Sequence, residues 1–110
     1  MNLKIEYSDN FLKEVKKLSK KFKLLKSDLK LAIEDMETKK DIGIYLGYNL
    51  YKKRIQNSSI PTGKSGGFRI IIYKQIEDKI VLISIYSKTL QDTLSDDELK
   101  IILKDYMEKG

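Results

Sequence analysis

Tyr51-Lys52-Lys53-Arg54-Ile55-Gln56, Gly66-Gly67-Phe68-Arg69-Ile70-Ile71-Ile72-Tyr73 and Ile80-Val81-Leu82-Ile83-Ser84-Ile85-Tyr86-Ser87-Lys88 are the runs on which the fold turns. Each is rich in β-branched or aromatic residues and is bounded by turn-forming ones, the pattern of strands. In the first, Lys52, Arg54 and Gln56 fall on one face, and Tyr51, Lys53 and Ile55 on the other. In the second, Arg69, Ile71 and Tyr73 alternate with Phe68, Ile70 and Ile72. In the third, Ser84, Tyr86 and Lys88 are expected opposite Val81, Ile83 and Ile85. Glu77-Asp78-Lys79 is a tight-turn candidate that makes the last two runs a hairpin. Asn57 to Gly67 is a loop holding the only proline, Pro61.

Charge concentrates in this region. From Leu46 to Gln75 there are six cations and no acid, and both arginines of the chain, Arg54 and Arg69, lie in the strands. Residues 46–92 carry a net +5 of the chain's +6. A basic strand surface bearing tyrosines is a candidate phosphate-binding surface.

Before the strands, Leu3, Ile5 and Tyr7 alternate with Lys4 and Glu6 as a short strand. Ser8 or Asp9 can cap a helix that ends near Lys20, with Phe11, Val15 and Leu18 on its apolar side. A second helix is expected from about Phe22 to Glu37, its stripe formed by Leu25, Leu29, Ala32, Ile33 and Met36. Thr38 to Gly43 is a polar break, and Ile44-Tyr45-Leu46 between Gly43 and Gly47 reads as a loop docked on the core. After the strands, Thr93 or Ser95 caps a C-terminal helix, and Ser95 with Glu98 fits a capping box. The order is β-α-α-β-β-β-α. That is an α+β fold: a small antiparallel sheet with a mixed edge, a two-helix N-terminal hairpin packed on one face, and a C-terminal helix. With helices on one face, the other is left partly open. Lys52, Arg54, Arg69, Tyr86 and Lys88 are candidates for that open face.

The remaining composition narrows the chemistry. The 110 residues fit one domain, 1–110. Neither cysteine nor histidine occurs, so disulfides and cysteine-based metal sites are excluded. Acid–base work falls to Lys, Arg, Tyr, Asp or Glu. No metal or cofactor site is expected. The N-terminus lacks a long apolar stretch and no run is long enough to span a bilayer, so a cytoplasmic protein is expected. Gly63-Lys64-Ser65 resembles the end of a nucleotide-binding loop, but Ser58 stands where its first glycine belongs and a strand follows instead of a helix. The lysines from Lys16 to Lys23 read as a solvated helix face, and Asp96, Asp97 and Glu98 as helix N-terminal acids. Taken alone, Arg69 fits a site residue and a structural arginine equally well.

The Tyr51-Lys52-Lys53-Arg54 strand, the Gly63-Lys64-Ser65-Gly66-Gly67-Phe68-Arg69-Ile70-Ile71 segment and the Ile85-Tyr86-Ser87-Lys88 strand end occur in an order and spacing that resemble the RelE/ParE superfamily of bacterial toxins, most of all its HigB-like branch. The resemblance runs roughly from Tyr7 to Leu103. It implies a type II toxin–antitoxin toxin that cleaves mRNA in the ribosomal A site and so inhibits translation. The ribose 2′-OH would attack its own 3′-phosphate, without a metal. By position, the resemblance makes Arg69 the residue that holds the scissile phosphate, and Lys52 and Arg54 the residues that stabilise the transition state. Lys52 is also a candidate base. Lys88 is a candidate acid, and Tyr86 or Tyr73 would stack on a base or orient the 2′-OH. Lys53 and Lys64 are further substrate-binding candidates. The implied partners are the ribosome with its mRNA and a cognate antitoxin, a small helix-turn-helix DNA-binding protein. Two alternatives stand beside this: a ParE-like inhibitor of DNA gyrase, and a non-catalytic RNA- or antitoxin-binding module. The sequence departs from RelE itself in one respect. Thr89 to Leu94 carries no tyrosine, whereas RelE has one shortly after the last strand.

Overall fold

A computed structural model describes residues 3–61, 66–91 and 93–109. The elements run β1 (Lys4–Tyr7), α1 (Asp9–Lys21), α2 (Leu25–Lys39), β2 (Ile44–Gly47), β3 (Leu50–Ile55), β4 (Phe68–Ile76), β5 (Lys79–Ser87) and α3 (Asp96–Lys109). One five-stranded sheet is ordered β1-β5-β4-β3-β2, with β1 parallel to β5 and the other pairs antiparallel. The α+β architecture expected from the sequence is present, with its mixed edge at β1.

The helix ends follow local chemistry. Ser8 accepts the Phe11 N–H at 3.1 Å and starts α1. Ser95 and Glu98 form the reciprocal capping box of α3, at 3.0 and 3.2 Å. The second helix begins at Leu25 and not at Phe22. Phe22 closes α1 and turns into the core, meeting Phe68 edge-on with ring centroids 5.3 Å apart.

Three further features differ from the sequence expectation. First, Ile44 to Gly47 is an edge strand and not a docked loop. It pairs with β3 through a two-residue turn, Tyr48-Asn49, in which both residues are left-handed (φ 54° and 61°). That is the turn whose twist suits a hairpin, reached here without a glycine at either central position. Ile44 and Tyr45 are exposed. Gly43 (φ +94°) opens this hairpin, and a Cβ on it would run into the backbone carbonyl of Lys52. Gly43→Ala is therefore expected to cost at least about 1–3 kcal/mol, read as a lower urea midpoint with an unchanged slope.

Second, α3 does not share a face with α1 and α2. Phe68, Ile70, Ile72, Ile80, Leu82 and Ile85 pack with Phe11, Leu25 and Met36 of the N-terminal hairpin. Leu50, Ile71, Tyr73, Val81, Ile83 and Tyr86 pack on the other side with Leu99, Ile102, Leu103 and Tyr106 of α3. The reason lies in β4 and β5. Ile70, Ile71 and Ile72 are all buried, as are Ile80 to Ile83, and strands apolar on both faces need cover on both. The expected open face is thus half closed.

Third, β5 carries a bulge. Ile71 and Ile72 are consecutive on β4, yet their partners are Ser84 and Leu82, so Ile83 is the extra residue. Ile85 accordingly lies with Leu82 on the α1–α2 side, while Val81 and Ile83 lie with Tyr86 on the α3 side. The expected grouping of Val81, Ile83 and Ile85 on one face assumed unbroken alternation. Among the described residues, no helix is long and apolar enough to cross a membrane.

A candidate phosphate site on the sheet

The core fixes which way Arg69 points. Phe68 and Ile70, both fully buried among the α1–α2 contacts, anchor β4 on either side of it. A one-residue slip would drive the guanidinium into that core, so the register is strongly specified. Directly opposite Arg69 stand Arg54 on β3 and Tyr86 on β5, forming a row across three strands. Lys52 lies two residues before Arg54 on the same face. Lys88 follows the end of β5, where its N–H donates to the Gly67 carbonyl at 2.9 Å and its Nζ donates to Thr93 Oγ1 at 3.1 Å. Gly67 sits where β3, β4 and the end of β5 converge, and a Cβ there would strike the Ile55 carbonyl. Closing this corner tightly is what brings Lys88 toward the arginines.

The electrostatics are those of crowded cations. Two arginines directly opposite on paired strands repel. Burial first, then Arg69, Arg54 and Lys88, pull the Lys52 ammonium below the ordinary lysine value. Burial and then Arg54 lower Arg69, and Tyr86 partly offsets this. Arg69 is only 5% exposed, and its Nη1 donates to the Phe68 carbonyl at 3.2 Å. Among the described residues, Lys52, Arg54 and Lys88 make no ion pair with a carboxylate. Such a cluster costs stability by itself and is relieved by a bound polyanion, for which the two guanidinium forks are suited.

Tyr86 joins the row, but its ring is buried beside Leu99, leaving no open face for a base to stack on. Its hydroxyl has no well-formed hydrogen bond among the described residues, although the Leu94 backbone approaches it. Burial raises its pKa, as does Glu98, against the lowering effect of Leu94 and Arg69, so it stays protonated at neutral pH. Tyr73 is on the same face and is also buried under α3, against Tyr106 with ring centroids 5.8 Å apart, and it too offers no stacking surface. Lys53 is not part of the cluster. It points to the α2 side, paired with Asp35 at 3.4 Å and Asp41 at 3.3 Å. Lys64 lies outside the described residues. Thr93, which the sequence offered only as a possible helix cap, is instead the partner of Lys88.

A concavity of about 310 Å³ borders Arg54 on the α2 side, but Asp28 and Asp35 line it together with Lys53. Those carboxylates repel a phosphate, so the open cationic face is the better candidate.

Residues 11–107 match the family model described as the RelE toxin of the RelE/RelB toxin–antitoxin system. No curated protein matches the chain.

Proposed function

The chain belongs to the RelE toxin family, and from that premise we propose that it is a ribosome-dependent mRNA endoribonuclease. Membership in a toxin–antitoxin family implies an antitoxin partner. Our reading makes that partner a small helix-turn-helix DNA-binding protein, and the toxin a single domain over 1–110 acting in the cytoplasm, where mRNA is translated. The observation that carries the reading is the cluster of Lys52, Arg54, Arg69 and Lys88 on one sheet face, three of them without a carboxylate partner among the described residues.

In this mechanism Arg69 and Arg54 hold the phosphate 3′ to the attacked ribose and stabilise the charge that builds on its oxygens. Lys52, whose pKa burial and the neighbouring cations lower from the ordinary lysine value, takes the 2′-OH proton. The 2′-oxygen bonds to phosphorus, and the bond to the 5′-oxygen breaks. Lys88, held by Thr93, gives that oxygen a proton. The products are a 2′,3′-cyclic phosphate and a free 5′-OH. Tyr86 acts from beneath, its ring supporting Arg69.

The deciding experiment is cleavage on ribosomes programmed with a defined mRNA. Cuts confined to the A-site codon, leaving a cyclic phosphate, are the expected result. A growth-inhibiting protein that cuts no mRNA but blocks DNA supercoiling by gyrase would overturn the proposal.

A further inference from the structure

Among the described residues, the outer edge of β5 has no strand partner beyond Tyr7. β1 stops opposite Leu82, whereas β5 continues to Ser87. Ser8 and the side chains of the first turns of α1 take over that edge. The Ser8 N–H donates to the Leu82 carbonyl at 3.0 Å, and Asn10 Nδ2 donates to the Ile83 carbonyl at 3.0 Å. Glu14 Oε1 then accepts from Ser84 Oγ at 2.9 Å, from the Ile85 N–H at 3.2 Å and from Asn10 Nδ2 at 3.0 Å. These contacts lie on both sides of the bulged residue Ile83.

The bulge decides the face of everything after it. With regular alternation from Val81, Ile85 and Ser87 would share the α3 side. Tyr86 and Lys88 would then point toward the α1–α2 core. With Ile83 as the extra residue, Ile85 enters the core and Tyr86 returns to the α3 side, opposite Arg69. Lys88 follows two residues on, close enough to depress Lys52.

We propose that Glu14, with Asn10, is a positioning residue that clamps the β5 bulge and thereby places Tyr86 and Lys88 on the Arg69 face. The catalytic half of this proposal rests on that face being the phosphate site; the placement half does not. A carboxylate here is costly, since burial raises its pKa against the opposing effects of Ser84, Ile85, Asn10 and Lys17. The clamp itself needs only an acceptor oxygen at Oε1, which glutamine also supplies.

The test compares Glu14→Ala, Glu14→Gln and Asn10→Ala by NMR and by cleavage on programmed ribosomes. In Glu14→Ala, exchange of the Ile85 amide is expected to quicken by at least about tenfold, and the Tyr86 ring resonances to move. The cleavage step should slow by roughly 10- to 100-fold with ribosome binding unchanged. Glu14→Gln should restore all three. A folded Glu14→Ala with Tyr86 and Ile85 unmoved would overturn the clamp, as would Glu14→Gln failing to rescue. If Glu14→Ala does not fold, Asn10→Ala, which leaves the Glu14 acceptor in place, decides through the same shifts in milder form. Their absence there overturns the clamp. Resonance shifts with no cleavage by any protein, wild type included, would uphold the clamp and count against the endoribonuclease alone.

Discussion

Arg69→Ala is expected to lose cleavage on programmed ribosomes by about 100- to 1,000-fold, the loss typical of removing one preorganised donor to a developing charge. The size follows from where the residue sits. Arg69 is the middle of the Arg54–Arg69–Tyr86 row and is held to its face by Phe68 and Ile70. It therefore has little freedom to lose when a phosphate arrives, and the orientation is already set before binding. Lysine is the informative control. Arg69→Lys keeps a positive charge but not the two-pronged fork, so it should recover only a small part of the rate. Circular dichroism establishes that each variant is folded before rates are compared. Activity of Arg69→Ala within a few-fold of wild type would move the scissile phosphate elsewhere on the protein.

Arg54→Ala should lose less. Arg54 is exposed at the rim of the row, where solvent screens its charge.

What could be read from the sequence was what is encoded locally. The Ser8 cap, the Ser95–Glu98 capping box and the alternation of Phe68, Ile70 and Ile72 against Arg69, Ile71 and Tyr73 all depend on residues within a few positions of one another. What could not be read depends on distant partners. β2 is only four residues long, follows Gly43 and ends on Gly47. It becomes a strand because β3 lies beside it, and its turn uses Tyr48 and Asn49 in place of the Asn-Gly that such turns favour. The side taken by α3 is an exception, legible in the nearly continuous apolar runs of β4 and β5, which call for cover on both faces. The bulge at Ile83 leaves no mark in the strand itself, because Ile83 is bonded by Ser8 and Asn10 and the two residues after it by Glu14, all some seventy residues earlier. Tyr86 and Lys88 reach the expected face by that route and not by simple alternation. Lys53 differs from its neighbours Lys52 and Arg54 for one reason. The strand's pleat turns it to α2, where Asp35 and Asp41 meet it.

Lys52 gives the second large effect, and its sign is set by the cations around it. Burial and the charges of Arg69, Arg54 and Lys88 all disfavour the ammonium form, so at any pH more of Lys52 is free base than of an ordinary lysine. If Lys52 takes the 2′-OH proton, the cleavage rate should climb between about pH 6 and pH 9 as that fraction grows. Lys52→Met is expected to remove the slope and about 100-fold or more of the rate. Lys52→Arg separates base from charge. It keeps the cation but cannot lose a proton in this range, so it should fall nearly as far as Lys52→Met. A Lys52→Arg enzyme close to wild type would make Lys52 an electrostatic residue only. The substitution should move stability the opposite way from rate. A lysine with a depressed folded-state pKa binds fewer protons in the native than in the unfolded state within the window between the two values. The native state therefore gains stability as pH rises through that window and carries the full penalty below it. At neutral pH Lys52→Met is thus expected to melt above wild type, with the gap closing as the pH approaches the ordinary lysine value. A residue whose removal stabilises the fold while abolishing the reaction is one retained for chemistry, and the paired melting and rate measurements read both halves of that trade.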